Sequence, residues 1–147
     1  MKNTIKNSTL SILLALCVIN ANAQATSKTF SKAFNLNGST NVQVDVPGTA
    51  EVKTWDSPNL RFVITVTLPN GNSNLSVIDQ LSTVGRYDLA LTNNNDGQTT
   101  IEAKNLKRSI KVKGQDFKEN VHFVILAPKD VNVQLNTPPA EIAEVKK

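Results

Sequence analysis

His122 is the single histidine, Trp55 the single tryptophan, Tyr87 the single tyrosine and Cys17 the single cysteine among 147 residues. These singletons bound the chemistry open to the chain. One histidine without a set of cysteines does not make a zinc site of the ordinary kind. A serine hydrolase built on a nucleophile elbow needs Gly-x-Ser-x-Gly, and no serine here stands in that turn. The loop Asn93-Asn94-Asn95-Asp96-Gly97 is rich in side-chain oxygens. With Gly97 at the turn, however, a calcium loop starts on Thr92 and ends on Ala103, where an acid and a glutamate are required. Carboxylates such as Asp45 and Glu51 form a glycosidase pair only if the fold brings them to the right separation. Most acids alternate outward with Lys and Thr, as solubilising residues do. The sequence therefore predicts no catalytic residue, no metal and no cofactor.

Two groups of residues have binding chemistry. Aromatic rings on a β-surface stack on sugars, because a flat ring offers apolar area at little entropic cost, and Trp55 and Tyr87 are the candidates. The plainer reading seats Trp55 at the end of the core beside Pro58 and Tyr87 inward on a strand. Lys104, Lys107, Arg108, Lys111, Lys113 and Lys118 crowd one stretch. Lys107, Arg108, Lys111 and Lys113 form the patch that would draw an anionic polysaccharide, lipopolysaccharide phosphates or extracellular DNA. Against this, Lys111 and Lys113 alternate with Ile110 and Val112, as on a solvent-facing or edge strand. No aromatic is interleaved to stack on a base, so no specific nucleic-acid partner is expected.

The start of the chain reads as a secretory leader. Lys2 and Lys6 precede a short apolar run, and Ala21-Asn22-Ala23 is a small-residue cleavage motif, giving a signal peptide over residues 1–23. The run is about half the roughly 20 residues of a membrane span, so no transmembrane segment is expected. The predicted location is exported: periplasmic, cell-surface or extracellular. In an alternative reading Leu14-Ala15-Leu16-Cys17 is a lipobox and Cys17 carries lipid, although Leu16 stands where a small residue is usual. Without the leader, 14 Lys and Arg face 12 Asp and Glu, so the net charge falls from +4 to +2. The remaining chain has no cysteine and must be held by its core alone. Roughly 120 residues suffice for that in one domain.

Those side chains must be positioned by strands. In residues 50–68, Ala50, Val52, Leu60, Phe62, Ile64, Val66 and Leu68 fall on even positions, while Glu51, Lys53, Arg61, Thr65 and Thr67 fall on odd ones. Alternation of this kind describes two strands with one dry face. The Trp55-Asp56-Ser57-Pro58-Asn59 interruption suggests that they form a hairpin. Phe30, Phe34, Leu36, Val42, Val44 and Val46 extend the even set back to the start of the domain. Leu75, Ile78, Leu81 and Val84 recur every three residues and predict a short helix, with Asn74 or Ser76 to start it and Gly85 to stop it. Tyr87, Leu89 and Leu91, then Ile101 and Ala103, give a second hairpin. Residues 121–127 are apolar on both faces and predict a central strand. Val131, Val133 and Leu135 give the last strand. The expected fold is an all-β, antiparallel sandwich of about 8–9 strands with one short helix, over residues 24–136, followed by a tail over 137–147. A short β-solenoid-like fold is the alternative.

The stretches Val52-Lys53-Thr54-Trp55-Asp56 and Leu60-Arg61-Phe62-Val63-Ile64 resemble the first hairpin of secreted Bacteroidota proteins with an auto-transporter adhesin head (GIN) domain, or relatives of it. The resemblance continues in Ile110-Lys111-Val112-Lys113 and in Ile125-Leu126-Ala127-Pro128-Lys129-Asp130-Val131. It implies the leading β-domain of that family without its β-solenoid. The implied role is an adhesin-like, non-catalytic interaction or structural module of the periplasm or cell surface. Its partner would be a glycan or another surface protein. A small carbohydrate-binding module using Trp55 is the alternative. Neither the ligand nor the oligomeric state is read from the sequence.

Overall fold

The computed structural model describes residues 26–69, 75–94 and 97–136. The leader with Cys17, the Asn70-Gly71 turn, Asn74 and the tail at 137–147 lie outside the described residues. Among the described residues the strands are β1 (Thr26–Phe34), β2 (Asn41–Asp45), β3 (Thr49–Trp55), β4 (Leu60–Leu68), β5 (Ala90–Asn93), β6 (Thr99–Glu102), β7 (Lys111–Val112), β8 (Gln115–Asp116), β9 (Asn120–Pro128) and β10 (Asn132–Leu135). The one helix is α1 (Leu75–Thr83). One sheet has the order β1-β4-β9-β3 and the other β10-β2-β6-β5, with β7-β8 a small separate ribbon.

The all-β class with one short helix is what the alternating pattern predicts, and the dry face lies where expected. Phe62 and Ile64 are 0% and 1% exposed, and Val42, Val44, Ile101, Phe123 and Ile125 share the core with them. Two details differ from the expectation. The sheets are mixed: β10 with β2, β2 with β6 and β3 with β9 all run parallel. In addition, β3 and β4 are not a hairpin, because β9 lies between them, parallel to β3 and antiparallel to β4. The reason is that β9 is the most apolar run and takes a central position. The link over residues 56–59 need only cross two strand spacings, about 10 Å, which four residues span easily. The predicted central position of residues 121–127 holds, although Val124 and Leu126 are only half-buried on the outer face.

The stacking of Phe30 on Tyr87, at 5.2 Å between ring centroids, fixes how the sheets lie, since Tyr87 stands just ahead of β5. It sets β1 over β5 at one end of the sandwich and β3 over β10 at the other, an order that also keeps the short β2–β3 and β9–β10 corners within reach. α1 packs beside β1. Its period-three pattern is only partly used: Ile78 is buried and Leu81 packs on the core, while Leu75 and Val84 are exposed. Three-residue steps on a 3.6-residue helix drift by about 60° each, so the first and last of four such positions end on opposite sides.

Candidate functional site

The helix ends in the left-handed cap that Gly85 predicts. Gly85 has φ +79°, its N–H donates to the Ser82 carbonyl, and the Arg86 N–H donates to the Leu81 carbonyl. This pair of bonds is a Schellman cap, and it turns the next two residues under the sheet. Arg86 and Tyr87 are consequently both buried. Arg86 Nε donates to Glu119 Oε1 at 2.7 Å, and the Tyr87 hydroxyl donates to Glu119 Oε2 at 2.7 Å. Arg86 Nη1 also donates to the carbonyls of Asn105 and Arg108 at 3.0 and 3.1 Å, while Asn105 Nδ2 donates back to the Gly85 carbonyl. One guanidinium thus ties the helix cap, the 105–108 turn and the start of β9 together. Burial, reinforced by the Glu119 carboxylate, drives the Tyr87 phenol far above its ordinary ionisation range.

Above this network lies an open cleft of about 490 Å³, walled by the Pro47-Gly48 corner, the 106–109 turn and residues 117–121. Lys107, Arg108 and Lys118 stand on its lining. Lys107 is held by Asp45 Oδ2 at 2.6 Å and Glu102 Oε1 at 3.0 Å, and the two carboxylates lift its ammonium above the usual lysine range. Among the described residues no ion pair engages Arg108 or Lys118. Because Glu119 is already neutralised by Arg86, the cleft presents a net positive lining to solvent.

The predicted basic patch is therefore divided. Lys107 and Arg108 reach the cleft, joined by Lys118. Lys111 and Lys113 lie on the β7-β8 ribbon instead, and Lys113 lines a separate, smaller pocket with Leu68, Val77 and Phe117. Tyr87 as a sugar-stacking residue is corrected. It is 4% exposed and stacked on Phe30, so it has no face to offer a ligand. Trp55 is half-buried at the end of β3, where its indole N–H donates to the Asn59 carbonyl at 2.9 Å. It clasps the 56–59 turn.

His122 lies on the outer face of the first sheet. Its Nδ1 is 2.8 Å from Thr49 Oγ1, and its Nε2 is 3.6 Å from Glu51 Oε1. The grouping has the composition of a nucleophile, base and acid, but it sits on an open strand face among half-exposed side chains. Lys53 binds Glu51 at 2.8 Å and is the main reason its carboxyl is held below the ordinary range. Glu51 is already committed to Lys53.

Arg86 and Glu119 are the two residues of the cleft that sequence reasoning missed. Alternation through Tyr87, Leu89 and Leu91 assigns Arg86 to the outer face, but it lies in the cap turn, where the period of two does not apply. The usable signal was Gly85: a left-handed cap redirects whatever follows it. This chain matches no family model, no curated protein and no solved structure.

Proposed function

We propose that the chain is an exported, non-catalytic interaction module, adhesin-like, acting in the periplasm or at the cell surface, and that acidic partners dock in the cleft beside Pro47 and Gly48. The observation that carries this reading is Arg108 and Lys118, which no ion pair engages among the described residues, on a cleft whose lining acid Glu119 is paired with Arg86. Charges of one sign along a concave wall concentrate the field and attract a polyanion. The basic front, apolar run and small-residue motif of the leader support export. The likeness of Val52-Lys53-Thr54-Trp55-Asp56 to adhesin head domains supports an interaction role.

The test is binding of a sulfated polysaccharide to the full chain at low and physiological salt, with a neutral glucan alongside. Arg108→Glu/Lys118→Glu is expected to abolish binding, Lys111→Glu/Lys113→Glu to leave most of it, and added salt to weaken it. Unchanged binding by the Arg108/Lys118 variant would contradict the cleft reading. Binding of the neutral glucan that disappears in Trp55→Ala would replace it with sugar stacking.

A further inference from the structure

The two ends of the sandwich are finished differently. At the β1 end, Lys28 and Lys32 point inward along the edge strand and pair with Asp79 of α1 and with Asp88, while Tyr87 packs against Phe30. Inward charges of this kind, with a helix beside them, block further strand pairing. The β3 end has neither device. Val52 lies opposite Ile125 and Leu135 opposite Val44, so both face the core side of their sheets. Even so, they are 41% and 37% exposed. Among the described residues both layers therefore stop at an uncovered edge, and each leaves an apolar inward side chain largely exposed.

We infer that this end pairs with a second copy of the chain through an antiparallel contact of β3 with its counterpart. The sequence of β3 is self-complementary about Val52. With the two-fold axis through that residue, Val52 meets Val52, Glu51 meets Lys53, Ala50 meets Thr54 and Thr49 meets Trp55 of the second copy. Glu51 and Lys53 share the outer face and already pair within each strand at 2.8 Å, so the dimer sets the two pairs side by side as a cluster of four charges with opposite signs opposed, and Trp55 lies against a β-branched neighbour. On the inner face the two Val52 side chains cover each other. β3 holds no proline, and its two charged side chains point outward with opposite signs opposed across the axis. The contact is isologous and closes at two copies. It uses the edge of β3, not the basic cleft, and stands independently of the acidic-partner reading.

The test is the solution mass of the full chain by light scattering, with Trp55 emission followed against concentration. The wild type is expected to be a dimer. Glu51→Lys and Lys53→Glu each set like charges opposite one another twice per dimer, so each is expected to weaken association roughly tenfold or more. An equimolar mixture of the two variants restores both opposite-charge pairs and is expected to recover the dimer, as is the doubly exchanged chain. A variant that had merely lost its fold would not be rescued by mixing. A monomeric wild type, dimers that persist in both single variants, or a mixture that stays monomeric would each overturn the inference. So would a chain that dimerises only after residues 137–147 are removed, because the tail would then be what covers β3.

Discussion

Glu119 takes two short hydrogen bonds where water scarcely reaches, and much of the cleft's geometry depends on them. Breaking a buried pair from one side leaves the other charge stranded, at a cost of about 3–5 kcal/mol. Arg86→Met is accordingly expected to destabilise the domain by about that amount in urea unfolding, and a loss below about 1 kcal/mol would contradict the account. Tyr87 provides a second test. Its folded-state ionisation lies above its ordinary value of 10.0, so the native chain keeps the phenolic proton that the unfolded chain gives up. The unfolded state therefore binds fewer protons once the pH passes that ordinary value, and stability falls from there upward. Because Tyr87 is the only tyrosine, tyrosinate absorbance is expected to rise together with the loss of β-sheet circular dichroism. A phenol that titrates near its ordinary value in the intact fold would contradict its burial. At this scale the singletons were legible, since their number alone limited the chemistry. The Arg86–Glu119 pair was not, because it joins a helix cap to a strand start more than thirty residues away, and no local pattern carries that contact.

Short corners decide which strands become neighbours. Residues 46–48 carry β2 across to β3, and residues 129–131 carry β9 to β10, so consecutive strands occupy different layers and pair with distant ones. Gly48 makes the first corner possible. Its φ is +93°, and a Cβ there would lie 2.4 Å from the Val121 carbonyl oxygen, which is backbone and does not swing aside. Gly48→Ala is expected to cost about 1–3 kcal/mol from backbone conformation alone, with the clash added to it. A melting temperature equal to that of the wild type would show that the corner is not as tight as described. Alternation locates β2, β3 and β4 and the face each turns inward, because a period of two follows the strand's two faces, while the apolar run 121–127 marks β9 without telling its faces apart. Alternation does not record partners. The turn residues after Trp55 mark a break in the chain and say nothing of which strand lies beyond it, which is why β9 was missing from between β3 and β4. The helix taught the same lesson in smaller form, with Ile78 inside and Leu75 and Val84 outside.

The molecule as a whole is asymmetric, guarded at the β1 end and open at the β3 end. The alternation places Val52 among the inward residues, and it does point inward. What the pattern did not reveal is that its strand lies at an edge, where facing the core is not the same as being covered. That asymmetry is the central claim, and hydrogen exchange of the β3 amides tests it most directly. Successive N–H groups on a strand point alternately toward β9 and away from it. In dilute solution the outward amides of β3 are expected to exchange quickly. At high concentration they are expected to become protected in the wild type and to stay fast in Lys53→Glu, while the amides facing β9 stay slow throughout. Outward amides that exchange equally at every concentration, or that are already slow when dilute, would contradict an open edge that pairs with its own copy.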